Sequence, residues 1–140
     1  ADLLGERRAA GLPAILVALH SFTPVFGGER RPWHVGVIHG GTGDEYGRRV
    51  LAGLQQVPGL VVGDNQPYAF DGTDYTIPRH AFPNALEWLE IEIRQDLLET
   101  DEQVAGVAQR AGLHARQEAR VLLPVHDPGE SAHDPGEQDG

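Results

Sequence analysis

The continuous apolar run PAILVALH (residues 13–20) constrains the fold of this chain more than any other segment. A run of this kind is typical of a strand that is buried on both faces of a sheet. Three further segments predict strands, namely HVGVI (34–38), LVVGD (60–64) and LEWLEIEIR (86–94). The second half of the last segment alternates apolar with charged residues, which is the period of a strand. The chain therefore holds several candidate strands for one sheet.

Helical patterns lie between and after these strands. Residues 44–57 repeat apolar side chains at helical spacing, and Asp44 is placed to cap that helix. A second amphipathic pattern covers 101–122, and 3–10 is typical of the end of a helix. Residues 64–83 are rich in Asp, Asn and Pro and predict a long loop. Strands that alternate with helices predict an α/β fold, with a mostly parallel or mixed sheet flanked by helices.

Composition excludes several classes of protein. Twenty-one Asp and Glu residues against eleven Lys and Arg give a formal net charge of −10, the wrong sign for a general nucleic-acid binder. The chain has no Cys, which excludes disulfide scaffolds and thiolate zinc sites. No run approaches the ~18 consecutive apolar residues of a membrane span, and no apolar signal segment is visible. We therefore expect a cytoplasmic protein that binds neither nucleic acid nor membrane.

The carboxyl-terminal residues differ in composition from the rest of the chain. Residues 126–140 repeat the pentapeptide HDPGE and contain acidic residues but no Lys or Arg. The two histidines of this segment would suit metal binding, whereas its lack of large apolar residues favours a disordered acidic tail. We predict one folded unit over 1–125 followed by that tail. Because the chain has no Met, even at position 1, we also expect it to be a piece of a longer protein.

Polar side chains stand where the candidate strands end. In open α/β sheets, ligands bind at the carboxyl ends of the strands. Three candidate strands end in polar residues, at His20, at Asp64-Asn65, and at Glu92 with Arg94. A histidine, a carboxylate and an arginine that meet at one edge are the groups that a hydrolytic metal site needs.

Each of these residues also has a structural interpretation. A lone histidine at the end of a strand is often only a hydrogen-bonded structural residue. The alternation leaves open whether Glu90 or Glu92 faces water. Arg94 with Asp96 would also form an ordinary ion pair.

Five segments together resemble the N-formylglutamate amidohydrolases. In chain order they are LHSFTP (19–24), RPWHVGV (31–37), VVGDNQPY (61–68), DGTDYTIPRHA (71–81) and EIEIRQDL (90–97). The resemblance implies a zinc-dependent amidohydrolase that cleaves the small molecule N-formyl-L-glutamate to formate and glutamate in histidine degradation. It also implies the α/β fold of the zinc carboxypeptidases.

The resemblance further implies roles for individual residues. The histidine of the His-Ser-aromatic strand end, His20, corresponds to a zinc ligand, and Glu92 corresponds to the catalytic carboxylate, which favours it over Glu90. Arg94 would orient Glu92 or bind a substrate carboxylate. The expected substrate contacts are Arg31 (or its neighbour Arg30), Asn65, Tyr68, Tyr75 and Arg79.

The length of the chain departs from the family. Members of the family are roughly twice as long, and their amino-terminal half carries the other zinc ligands, so this chain resembles the carboxyl-terminal half. We expect the missing half of the domain to be its partner, and we expect the chain alone to bind zinc weakly and to be inactive. Two alternatives stay open: a hydrolase for another N-acyl amino acid or a peptide, and a non-catalytic α/β binding module.

Overall fold

A computed structural model describes residues 2–71 and 73–122 of the chain. In chain order the elements are α1 (Leu3–Ala9), β1 (Ile15–Phe22), β2 (Val25–Phe26), β3 (Glu29–Arg30), β4 (Val35–Ile38), α2 (Glu45–Gln55), β5 (Val62–Asp64), α3 (Thr76–His80), β6 (Glu87–Arg94) and α4 (Asp101–Leu122). Short 3-10 turns at Phe82–Asn84 and Gln95–Leu97 flank β6. The predicted acidic tail, 126–140, lies outside the described residues, as does the end of the 1–125 unit.

Four strands form one sheet in the order β1-β6-β4-β5. β1 is parallel to β6 and β4 is parallel to β5, whereas β4 and β6 are antiparallel. Because two of these three pairings are parallel and helices flank the sheet, the predicted α/β architecture with a mixed, mostly parallel sheet is confirmed. β2 and β3 form a separate antiparallel hairpin, in a segment for which the sequence predicted no strand.

α2 and α4 cover one face of the sheet and enclose the main core. Val37 of β4 and Leu89 and Ile91 of β6 are buried beneath the helices. The hydroxyl of Tyr46 donates a hydrogen bond to the carbonyl of Ala115 at 3.0 Å, which ties α2 to α4. Full burial of an apolar side chain contributes about 1.5 to 3 kcal/mol, so this face supplies much of the stability of the fold.

The opposite face of the sheet is partly apolar and partly acidic. Trp88 of β6 is fully buried there against Ile77 of α3, and its indole N–H donates to the carbonyl of Thr42 at 2.8 Å. Because successive side chains of a strand point to opposite faces, Glu90 and Glu92 follow Trp88 on this same face. Both glutamates are buried.

The predicted double-sided burial of the first strand is wrong. β1 pairs with β6 alone among the described strands, so it lies at the edge of the sheet. Val17 and Leu19 are 38% and 71% exposed, because α2 and α4 lie over the inner strands rather than over this edge. The apolar run therefore marks a strand correctly, but the number of neighbours that a strand has is not encoded in the run itself.

The predicted helices are confirmed, with one difference in detail. Asp44 precedes α2, yet its carboxylate makes no capping hydrogen bond. Instead, its Oδ2 lies 3.4 Å from Nδ1 of His39, and its Oδ1 lies 3.4 Å from Nη2 of Arg48. The predicted loop over 64–83 contains the short helix α3. No helix in residues 2–71 and 73–122 is both long enough and apolar enough to cross a membrane.

Gly36 is the point at which the loop after β5 crosses the sheet. We expect Gly36→Ala to lower the free energy of unfolding by about 3 kcal/mol, at the upper end of overpacking penalties, because the added Cβ would overlap the backbone carbonyl of Gln66. Gly106→Ala is a matched control in α4, where a Cβ meets no atom within 4 Å. It should raise the free energy of unfolding by about 0.5 to 1 kcal/mol. Urea unfolding followed by circular dichroism measures both; a Gly36→Ala protein as stable as the wild type would contradict this close approach.

Candidate active site

The pairing of β1 with β6 places His20 beside Glu92. The two residues are direct partners in the parallel register, and partners in neighbouring strands point to the same face. That face is the one opposite to α2 and α4, since Leu89 and Ile91 of β6 point toward the helices. The imidazole and the carboxyl group therefore face a common space, as a shared reaction centre requires.

Glu92 is a buried carboxyl group with a spare acceptor. It is 7% exposed, and its Oε2 has no hydrogen-bond partner among the described residues. Burial raises the pKa of Glu92, while the positive charges of His20 and Arg31 oppose that shift. A buried carboxyl group with a raised pKa and an open oxygen is suited to accept and return a proton.

Glu90, the other glutamate that the sequence left as an alternative, has different partners. It is also 7% exposed, so neither glutamate faces water. Its pKa is raised to about 7 by burial, by a hydrogen bond with the carboxyl group of Asp74, and by the negative charges of Asp74 and Glu92. The carboxylate of Asp74 accepts hydrogen bonds from the backbone N–H groups of Thr76 and Ile77 at 3.3 and 2.9 Å. Asp74 thus connects Glu90 to the start of α3.

Arg31 lies among aromatic rings, one of which, Phe22, belongs to β1 and points to the same face as His20. Its guanidinium carbon is 4.7 Å from the ring centroid of Phe26, 5.1 Å from that of Tyr68 and 5.8 Å from that of Phe22. Its Nη1 also donates to the hydroxyl of Tyr68 at 3.2 Å. The structure thus brings two of the predicted substrate contacts, Arg31 and Tyr68, together on the side of the sheet that carries Glu92.

Arg94 is committed to structural contacts. Its guanidinium donates to both carboxylate oxygens of Asp96, at 2.7 and 3.2 Å. Nη1 donates to the backbone carbonyls of residues 31, 32 and 33 at 3.2 to 3.3 Å. None of these contacts reaches Glu92. The ion pair with Asp96 that the sequence offered as an alternative is present, and the guanidinium anchors the segment that carries Arg31. A catalytic or substrate contact of Arg94 stays a prediction.

β5 runs in the opposite direction to β6, so its carboxyl end does not share an edge with that of β6. The expectation of three strand ends at one edge is therefore wrong. Gly36 of β4 is nevertheless level with both Gly63 and Glu92. The loop after β5 lies close to Glu92, because a Cβ on Gly36 would meet both the carbonyl of Gln66 and Cβ of Glu92. Asn65 has a positive φ of 51°, and its side-chain oxygen accepts the N–H of His39 at 3.0 Å. These contacts give Asn65 a structural role in turning the chain.

The remaining predicted substrate contacts, Tyr75 and Arg79, are exposed. The guanidinium of Arg79 lies 5.9 Å from the ring centroid of Tyr75. Within residues 2–71 and 73–122, neither residue forms a hydrogen bond or an ion pair with His20 or Glu92. The contacts of Tyr75 and Arg79 with a substrate therefore stay predictions.

Sequence reasoning missed three features of this region. Asp74 stands before the helical segment TIPRH, and an Asp at such a position is a signal for a helix cap. The aromatic surroundings of Arg31 gave no local signal, because Phe22, Phe26 and Tyr68 come from separate segments. His39, with Nε2 at 2.8 Å from Asp64, was also not singled out.

The described residues do not by themselves form a metal site. No group of three or more His, Asp or Glu within residues 2–71 and 73–122 is arranged to hold a metal ion. The exposed imidazole of His20 is a donor that would suit zinc. Its partner in the register, Glu92, has an oxygen without a hydrogen-bond partner among the described residues.

Comparisons with known proteins show a family and a similar solved structure. The family model of the N-formylglutamate amidohydrolases matches residues 1–99. Among solved structures, the crystal structure of gene product Atu2144 from Agrobacterium tumefaciens is similar, with a TM-score of 0.74 and 34% sequence identity. The similarity covers 86% of this chain and 46% of that chain, so this chain spans about half the length of the solved relative. No curated protein matches the chain.

Glu90→Gln tests the protonation of the buried glutamate. Because the pKa of Glu90 is raised from 4.5 to about 7 in the folded protein, its stabilising contribution is complete at low pH and is lost as the pH rises toward 7. Relative to the wild type, the free energy of unfolding of the variant should therefore rise by about 2 to 3 kcal/mol between pH 5 and pH 8. Urea unfolding at the two pH values measures this change. Glu99→Gln, at an exposed position, is the control; an equal pH dependence in both variants would refute the assignment.

Proposed function

The chain belongs to the N-formylglutamate amidohydrolase family, and from this premise we propose that it forms part of a zinc-dependent hydrolase for N-formyl-L-glutamate or a similar N-acyl amino acid. The products would be the carboxylic acid (formate for a formyl group) and the free amino acid, as in histidine degradation. The observation that carries the proposal is the placement of His20 beside Glu92, whose buried Oε2 has no partner among the described residues.

The chemistry follows from the surroundings of Glu92. When bound, zinc held in part by His20 would polarise the amide carbonyl and acidify the attacking water. Glu92 accepts a proton from that water at its open oxygen while the water oxygen bonds to the acyl carbon. Because burial raises the pKa of Glu92, the carboxyl group can return the proton to the amine nitrogen as the C–N bond breaks.

We also propose that the rest of the active site comes from polypeptide outside the described residues. β1 has a free edge among the described strands, and the apolar side chains of Val17 and Leu19 are exposed beside it. The solved relative is about twice as long as the region that it shares with this chain. A further segment of the same domain would cover this edge and supply the missing zinc ligands.

Glu92→Gln tests the role of the proposed base in the intact, zinc-loaded protein. It removes the proton acceptor and keeps the side-chain volume, so turnover should fall by about 10³-fold or more. Zinc content, measured by elemental analysis, should not change, because the proposed ligand His20 is retained. Glu99→Gln should have wild-type turnover. Retained turnover in Glu92→Gln would assign the base to Glu90 or to another group.

The 140-residue chain alone tests the origin of the zinc ligands. Since the described residues offer no three-ligand group, we expect weak or no stoichiometric zinc uptake in a calorimetric titration, and no amidase activity. His20→Asn is the matched control for any weak binding that is seen. Tight one-to-one binding that His20→Asn abolishes would show that the chain carries a complete site. An intact protein that also takes up no zinc and turns over no substrate would support the non-catalytic alternative.

A further inference from the structure

We propose that the loop after β5 (residues 65–68) is one wall of the substrate pocket, that Gly36 and Gly63 seat this loop beside Glu92, and that the wall restricts the site to small acyl groups. This inference rests on the proposed function and deepens it, because it names the part of the chain that selects among N-acyl amino acids. Gly63 is then a positioning residue, which acts on the substrate through the loop.

Four residues form a row across the sheet on the face opposite to α2 and α4. In the strand register they follow one another in the order His20, Glu92, Gly36, Gly63. The flanking valines of β4 and β5 pack under the helices, so both glycines face the other way. One half of the row therefore carries the imidazole and the carboxyl group, and the other half carries no side chain.

The backbone of Gln66 fills the half of the row that has no side chains. A Cβ on Gly36 would overlap the carbonyl of Gln66 and would lie 3.4 Å from Cβ of Glu92. A Cβ on Gly63 would lie 2.7 Å from both the carbonyl oxygen and Cβ of Gln66. Neither glycine has a positive φ, so the close approach of the loop, rather than the backbone conformation, requires glycine at both positions. The loop thus reaches to the position of Glu92 and leaves the space toward β1 open.

The loop is held at both of its ends. The backbone N–H of Asn65 donates to the carbonyl of Val37 at 2.9 Å, and the side-chain oxygen of Asn65 accepts the N–H of His39 at 3.0 Å. At the other end, the hydroxyl of Tyr68 accepts a hydrogen bond from Arg31 at 3.2 Å. A wall that is fixed at both ends resists displacement by a larger substrate.

The wall faces the part of the substrate that Glu92 must reach. In the proposed reaction, the water that Glu92 deprotonates bonds to the acyl carbon, so the substituent of that carbon lies close to Glu92. The nitrogen carries the amino acid on single bonds that can turn toward solvent, whereas the methyl group of an acetyl substrate has no such freedom. We therefore expect a formyl group to fit and an acetyl group to meet the backbone of Gln66.

The same glycines also have a purely structural interpretation. Glycine lets a loop cross a sheet closely, and the loop would then only cover this face. The two roles differ in substrate dependence. Disturbing a structural seat lowers kcat/KM for every substrate alike, whereas disturbing a wall changes the ratio between small and large acyl groups.

The experiment compares kcat/KM of the intact, zinc-loaded protein for N-formyl-, N-acetyl- and N-propionyl-L-glutamate. The wild type should favour the formyl over the acetyl substrate by about 100-fold, the upper range for one added carbon in a close-fitting site. Gly63→Ala should lift Gln66 from the sheet, because the added Cβ has no room, and should reduce this ratio to below about tenfold. Gln66→Gly, which loosens the same loop without adding an atom to the sheet, should also lower the ratio.

Gly106→Ala is the matched control, since a Cβ there meets no atom within 4 Å; it should keep the wild-type ratio. A wild type that hydrolyses the formyl and acetyl substrates within about threefold of each other would overturn the proposal, and this measurement applies even if Gly63→Ala does not fold. A ratio that is unchanged in every folded loop variant would also overturn it and leave the two glycines as structural residues.

Calorimetric titration with N-formyl- and N-acetyl-L-glutamate separates these results from failure of the proposed function. If the wild type hydrolyses none of the substrates, the proposed function fails. A preference for the formyl compound in Kd that Gly63→Ala or Gln66→Gly removes would still support the wall. Equal affinities for the two compounds, or no binding of either, would reject it.

Discussion

The register of β1 against β6 fixes the geometry on which the site depends. In this register His20 is the partner of Glu92, and strand alternation turns both toward the face that α2 and α4 leave free. A slip of one residue in β6 would carry Glu90 and Glu92 into the helix-packed core and bring Leu89 and Ile91 out of it. The burial of those apolar side chains under the helices therefore holds the polar face in place. Packing on one side of the sheet maintains the chemistry on the other.

Two glutamates on one strand have raised pKa values, for partly different reasons. Burial is the largest cause for both. A hydrogen bond with the carboxyl group of Asp74 and the negative charges of Asp74 and Glu92 add to the rise at Glu90, whose pKa reaches about 7. The neighbouring His20 and Arg31 instead oppose the rise at Glu92. Since both side chains are equally buried, it is their neighbours that distinguish the two glutamates.

Two arginines connect the sheet to the proposed pocket. The guanidinium of Arg94 donates hydrogen bonds to Asp96 and to the backbone carbonyls of residues 31 to 33. These bonds anchor the backbone segment from which the side chain of Arg31 extends toward the rings. Both hydrogen bonds of Arg31 among the described residues use Nη1. The two guanidinium groups therefore differ in how many of their donors the described part of the fold occupies.

Periodicity and composition were sufficient to place the strands, the longer helices and the α/β class, because each depends on the alternation of side chains within one segment. The matched blocks likewise pointed to the family, and to His20 and Glu92, from local sequence alone. Strand direction, strand order and the partners of charged groups depend instead on contacts between segments far apart in the chain. For this reason only the tertiary structure shows that β4 and β5 run antiparallel to β6, that one edge of β1 is free among the described strands, and that Arg94 bonds to carbonyls about sixty residues earlier. The sequence determined which faces the side chains take, and the three-dimensional packing decided which of those faces meet.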